Sequence, residues 1–335
     1  MDDASAQSLL GLAEELAAGL RGLDREEVFA RLEAHEDELG AALAWFVEAG
    51  HPDEAIRLTR SLAPFWQATR RLDVATASFE RALALDGGDD ALRGRALAEA
   101  GFLWFLRGDD AAATASYARA RELGAPTGAA LALTGLARIA LRDGHLEEAR
   151  RLGLEALALS DSRADPVGRG SAAHVLGVTA QMQGELEEAR RWMSERMALA
   201  REDGNYAGLG LEASNLAMVE RQLGDLDRAE QLLREALEIF RRRRDEWAIP
   251  FGLNGLAAVA VERGELERAA TLAAAADGMV VAQAAAWPPD ELEHYERTVA
   301  AAEASLDPAL LDGARAAGHA LSPDGAVAYA LSRSA

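Results

Sequence analysis

The chain has 335 residues, a formal net charge of −21 and no Cys, and all 35 of its basic residues are Arg, with no Lys. That composition excludes disulfides, zinc ribbons and thiolate nucleophiles, and it excludes a Walker lysine, a Schiff base or a pyridoxal phosphate site. The acidic balance argues against nucleic acid, which needs a basic face to displace counterions, and no apolar run reaches the roughly 18 residues expected of a membrane span.

In chain order, residues 8–22 read as an amphipathic helix and 24–34 as a second, with Asp24 as its N-cap. A third helix over 37–49 stops at Gly50, and Pro52 opens the next, where its missing N–H costs little. Residues 56–68 fit the first helix of a helix pair, but the turn position that follows holds Arg70 instead of Gly. The next unit spans about 92–123, with Gly101, Gly108, Ala113 and Ala120 at its marked positions.

From Leu136 the chain repeats itself. Leu136, Leu176, Leu216 and Leu256 lie 40 residues apart, as do Gly144, Gly184, Gly224 and Gly264. Five residues after each Gly comes Ala149, Ala189, Ala229 or Ala269. Gly suits the end of a first helix because it enters the left-handed region freely. The acids that follow, such as Glu187 and Glu188, suit the first turn of a second helix, where the macrodipole favours negative charge. Small residues seven before each turn Gly, among them Gly101, Ala137 and Gly177, are expected to face the Ala five after it.

Polar connecting loops are expected at 160–170, 201–208 and 241–250. After Ala276 the pattern decays; Trp287-Pro288-Pro289 reads as a loop, and helices are expected to start at Asp290, Asp307-Pro308 and Ser322-Pro323. This tail would cap the end of the repeat array.

The spacing of small residue, Gly, Ala and Ala resembles the tetratricopeptide repeat, a helix–turn–helix unit with a usual period of about 34 residues. The longer period here implies extended helices or loops. The expected fold is an all-α tetratricopeptide-like solenoid, a right-handed superhelix with flanking capping helices. Capping helices would occupy 1–36, repeats 37–276 and a helical cap 277–335.

Two segments, 32–50 (LEAHEDELGAALAWFVEAG) and 276–331, carry a closer likeness. With the repeats between them, they resemble the C-terminal repeat region of bacterial STAND-class regulatory ATPases. That family usually shows Asn and Arg within the stretch matching 38–45, where this chain has Glu38 and Gly40. No G-x-x-x-x-G-K-[ST] occurs and nothing basic follows the cap. The resemblance therefore implies the sensor part alone, without ATPase or DNA-binding domain, and in that family this part senses an inducer or a partner and relieves autoinhibition.

First-helix positions place Arg57, Arg60, Pro64 and Gln67, and then the later repeats' equivalents, on the concave groove. The candidate ligand-binding residues among them are Phe102, Phe105, Arg138, His174, Met182, Met218, Arg221 and Asn254. The large apolar groups would bury a ligand's body, and Arg would pair with carboxylate or phosphate. The expected function is a non-enzymatic regulatory module that binds a peptide, a protein segment or a small effector. The alternative is an enzyme or biosynthetic accessory protein with a closed apolar pocket, where His174 would be the catalytic group. No metal-ligand spacing links the six His, so no metal and no cofactor are expected. Arg241–Arg244 reads as helix-end charge complementing the dipole. The first residues carry acids rather than the bases of a signal peptide, so a cytoplasmic protein is expected, and Arg and Ala enrichment fits a GC-rich bacterial genome.

Overall fold

The computed structural model describes residues 1–161, 165–283, 287 and 289–332. Among them are eighteen α-helices and no strand. The chain divides into two compact units, Met1–Leu199 and Ala200–Ala335.

In the first unit, α1 (Asp3–Gly19), α2 (Glu26–Ala34) and α3 (Glu36–Ala49) precede the helix pairs. The pairs are α4 (Pro52–Ala68) with α5 (Leu72–Leu83), α6 (Asp90–Leu106) with α7 (Asp110–Glu122) and α8 (Pro126–Arg142) with α9 (Leu146–Asp161). Next come α10 (Pro166–Met182) and α11 (Leu186–Glu202). First helices pack on first helices, α4 on α6, α6 on α8 and α8 on α10, and α1 lies against α4. The second unit holds α12 (Tyr206–Gln222) with α13 (Leu226–Arg242), and α14 (Ile249–Glu262) with α15 (Leu266–Ala282). Its tail is α16 (Pro289–Ser305), α17 (Pro308–His319) and α18 (Pro323–Leu331), all three packed against α15, with α16 and α18 also on α14.

The long period is taken up by helix, not loop. Both α10 and α12 have 17 residues, and so do α11 and α13. The expected loops are correspondingly short. Asp165 caps α10 by accepting from Val167 and Gly168 N–H, and Pro166 takes the first turn, six residues ahead of the apolar run at Ala172. Gly168 and Gly170 look like loop residues in the sequence. They are helical, and glycine stands there because a Cβ at Gly168 would lie 2.8 Å from the Asp165 carboxylate, and one at Gly170 3.1 Å from Arg196 Nη1. Likewise Asn205 caps α12 and Asp225 caps α13 through backbone N–H groups at 3.1 and 3.0 Å.

Gly144, Gly184, Gly224 and Gly264 all turn with positive φ, at 76°, 79°, 85° and 78°. Arg70 stands in the same place in the earlier repeat and keeps the same turn at φ 61°. For a residue with a Cβ that conformation costs about 1–2 kcal/mol. The repeat therefore keeps the turn geometry without a Gly. Ala149, Ala189, Ala229 and Ala269 are fully buried in the helix-pair contacts.

Several expectations are corrected. Asp24 does not cap α2; Arg25 occupies the cap and makes no side-chain capping bond. The first helix is α1 at Asp3–Gly19, capped by Asp2 and not begun at residue 8. The tail helix expected at Asp290 starts at Pro289, while α17 and α18 start where expected, capped by Asp307 and Ser322. Pro288 lies outside the described residues. At two of the small positions before the turn, the glycines, the nearest neighbour is a large side chain. A Cβ at Gly177 would meet Met193 Cγ at 2.8 Å, and one at Gly101 would meet Tyr117 Cδ1 at 2.7 Å. Each absent side chain makes room for a large group nine residues past the turn Gly.

Candidate ligand site in the first unit

The first-helix faces of this unit line a partly open cavity of about 430 Å³. Helix α4 contributes Arg57, Arg60, Ser61, Pro64 and Gln67, spaced by three or four residues so that they share one face. Helix α6 contributes Glu99, Phe102 and Leu103, α8 contributes Leu131, Thr134 and Arg138, and α1 contributes Glu14. Ser171 of α10 closes one side.

Ion pairs between neighbouring helices fix the polar rim. Arg57 grips Glu14 with Nε and Nη2, both at 2.8 Å, and that hydrogen bonding raises the Arg57 pKa. Arg60 holds Glu99 the same way at 2.7 and 2.9 Å, and Arg95 adds a third contact to Glu99 at 3.1 Å. Paired forks of this kind combine charge with fixed direction. The lining carries four Arg (Arg21, Arg57, Arg60 and Arg138) against two Glu (Glu14 and Glu99). The cavity lining thus carries more Arg than Glu on a chain whose net charge is −21.

A layered arrangement joins α6 to α8. The rings of Phe102 and Phe105 lie 6.3 Å apart and nearly parallel. Arg138 stands over Phe102 at 5.2 Å and Arg142 over Phe105 at 3.9 Å, both within cation–π range. Arg142 also pairs with Asp110.

One wall residue arrives from a second helix. Tyr117 of α7 passes between Gly101 of α6 and Gly135 of α8, and it contributes to the lining. It is 1% exposed, and its hydroxyl has no hydrogen-bond partner. Burial pushes its pKa up to about 12, against a smaller opposing pull from the charges of Arg138 and Arg142. The hydroxyl therefore keeps its proton near neutral pH.

The sequence-derived candidates fall in both units. Phe102 and Arg138 line the first-unit cavity, and Phe105 packs behind Phe102. His174, half-buried, sits one turn beyond Ser171 and outside the lining, and Met182 is exposed at the end of α10. In the second unit, Met218 and Asn254 border a cavity of only about 30 Å³ with Phe251 and His294. That is room for about one water, not for an organic ligand. Arg221 is paired with Glu262. The sequence reading missed Tyr117, because second-helix positions are core positions in the repeat. The two mid-helix glycines that flank it, Gly101 and Gly135, were the available signal.

The MalT-like TPR region family matches residues 134–301. The chain belongs to that family. As a MalT-like TPR protein it resembles the sensor region of MalT-like regulators, in line with the likeness carried by the sequence. Proteins of Mycobacterium tuberculosis and Mycobacterium bovis named as HTH-type transcriptional regulators are 34% identical over 124 residues. The match covers 33% of this chain and 14% of those relatives' length. Among solved structures, the APC/C hetero-tetramer Cut9–Hcn1 aligns with a TM-score of 0.58 at 17% identity, over 89% of this chain and 57% of that one. A Rap protein complexed with Competence and Sporulation Factor aligns at 0.54 and 13% identity, over 92% and 85%. The apo form of RapI aligns at 0.50 and 12%, over 93% and 84%. At such identities the likeness shows the fold alone. No helix among the described residues of this MalT-like TPR protein is long and apolar enough to cross a membrane.

Proposed function

We infer that this protein is a recognition module of regulatory type, which binds a peptide, protein segment or small effector on its first-helix faces without chemically changing it. The observation that carries this reading is the 430 Å³ cavity, whose wall mixes apolar side chains such as Phe102 and Leu131 with Arg57, Arg60 and Arg138. A concave, largely preformed recess with a few convergent polar groups is the usual form of a ligand site. A Rap protein of similar fold is complexed with Competence and Sporulation Factor, and the curated relatives are named as transcriptional regulators, which supports the reading. His174 stands outside the cavity lining, so the enzyme alternative draws no support from it.

The test is titration calorimetry of the full chain against peptides and organic effectors that first raise its Tm. Truncating a central Arg anchor costs about 2 kcal/mol of binding. Arg138→Ala should thus weaken the best binder about thirtyfold while its own Tm holds. A ligand bound with unchanged affinity by Arg138→Ala, or turned over by the wild type, contradicts the proposal.

A further inference from the structure

We propose that the helical tail holds a second binding site, a recess between α15, α16 and α17 that takes a small primary amine, its ammonium group received by the Asp277 carboxylate and the Tyr295 hydroxyl. The site lies wholly in the second unit and stands apart from the recognition reading above.

The recess begins with backbone packing. Gly318 of α17 lies so close to α15 that a Cβ there would stand 2.8 Å from Ala274 Cβ. The next residue, His319, is thereby set beside α15, its Cδ2 3.4 Å from the place of a Cβ at Gly278. Small residues keep the space behind it open. Ala270, Ala273 and Ala274 of α15 supply one wall, and Val299 and Ala302 of α16 with Leu311 of α17 supply the rest. The volume is about 170 Å³. An apolar cavity of about 150 Å³ accommodates benzene, so the recess suits a molecule of that size.

The charge of the recess comes from Asp277. Its Oδ1 accepts a hydrogen bond from Trp287 Nε1 at 3.1 Å, and the Trp287 ring stacks on Tyr295 with centroids 5.4 Å apart. One side chain thus orients both the carboxylate and the phenol. The indole is a neutral donor, so it leaves the carboxylate charge uncompensated, and Asp277 makes no ion pair among the described residues. Arg315 on the same wall is engaged instead by Glu303 at 2.6 Å. Asp277, Glu303 and Arg315 together leave one negative charge here. A half-buried carboxylate has lost part of its hydration, which favours a cation beside it.

The neighbouring polar group fits the same ligand. The half-buried Tyr295 hydroxyl makes no hydrogen bond among the described residues. Burial raises its pKa first and the Asp277 charge second, against an opposing pull from Arg315. The phenol therefore keeps its proton near neutral pH, and its oxygen accepts. A ligand group that meets a carboxylate oxygen and a phenol oxygen together must donate to both. An ammonium has three donors and the matching charge. A short alkyl or aryl stem then lies on the alanine wall.

The experiment uses the full chain and titration calorimetry with isobutylamine, cyclopentylamine and benzylamine, each beside the alcohol of the same shape. Each amine should exceed its alcohol by about tenfold or more, the scale of a hydrogen bond to a charged group. Asp277→Asn keeps an oxygen for Trp287 Nε1, so it should hold the Tm and abolish the amine preference. Tyr295→Phe should weaken the amines by about tenfold. Arg138→Ala, in the first unit, should leave amine affinity unchanged. Equal affinity of amine and alcohol overturns the proposal, as does an amine preference that survives in Asp277→Asn, or no binding by any of the three amines. If amine binding is lost in Arg138→Ala and kept in Asp277→Asn, the amines occupy the first-unit cavity; the tail site then falls and the recognition reading stands.

Discussion

The ring of Tyr117 occupies the space where a side chain at Gly135 would stand, with its hydroxyl oxygen 2.6 Å from the place of the missing Cβ. Helix α8 thus carries a gap that fits one residue of α7. Even one methyl group at Gly135 should overpack the contact, costing about 1–3 kcal/mol. Gly135→Ala should lower the Tm clearly in the wild type and little in a Tyr117→Ala background. Non-additivity of that kind marks direct contact. An equal loss in both backgrounds would place the strain elsewhere.

A turn glycine tests the backbone alone. Gly184 has φ 79°, and nothing lies within 4 Å of where its Cβ would be. Gly184→Ala should therefore cost about 1 kcal/mol through the left-handed conformation, without any packing change. Gly177→Leu is the converse case: it would drive a large group onto Met193 Cγ, now 2.8 Å from the Cβ site. Its penalty should be about 1–3 kcal/mol, read as a lower urea midpoint.

Acid stability carries a third prediction. The Glu188 carboxyl is held below its ordinary value of 4.5, first by hydrogen bonding to Arg150 and then to Trp192 Nε1. A depressed folded pKa means the stabilisation is complete above the unfolded value and is lost as pH falls through the folded one. Stability should drop with acidification below about pH 4.5, and Glu188→Gln should flatten that part of the Tm–pH curve. Partial exposure of both side chains keeps the effect small. A curve unchanged by Glu188→Gln would show that the pair does not form in solution.

Much of the fold was legible in the sequence because each repeat must solve the same local problem. Gly144, Gly184, Gly224 and Gly264 turn alike, and the Ala five residues later is buried each time. Arg70 shows where the pattern stops being literal: the residue type changed and the φ did not. Helix starts were less readable. Gly168 and Gly170 signal a loop by propensity, yet they lie inside α10, where close packing leaves no room for a side chain. In the site, Phe102 and Arg138 followed from first-helix spacing. Tyr117 did not, because a residue that threads between two helices obeys the gap they leave and not the period of its own helix. Met218 and Asn254 shared the favourable spacing but border a space of about 30 Å³, since spacing gives a face and not the room in front of it.

The central claim, that recognition belongs to the first-unit cavity, is tested most directly by one comparison of affinities. The same bound ligand, peptide or small effector, is titrated into the wild type, Arg138→Ala and Arg221→Ala. Arg138 lines the cavity, whereas Arg221 is paired with Glu262 in the second unit. About a thirtyfold loss in Arg138→Ala with near-wild-type affinity in Arg221→Ala is the predicted result. Loss in Arg221→Ala with Arg138→Ala unaffected would contradict the account.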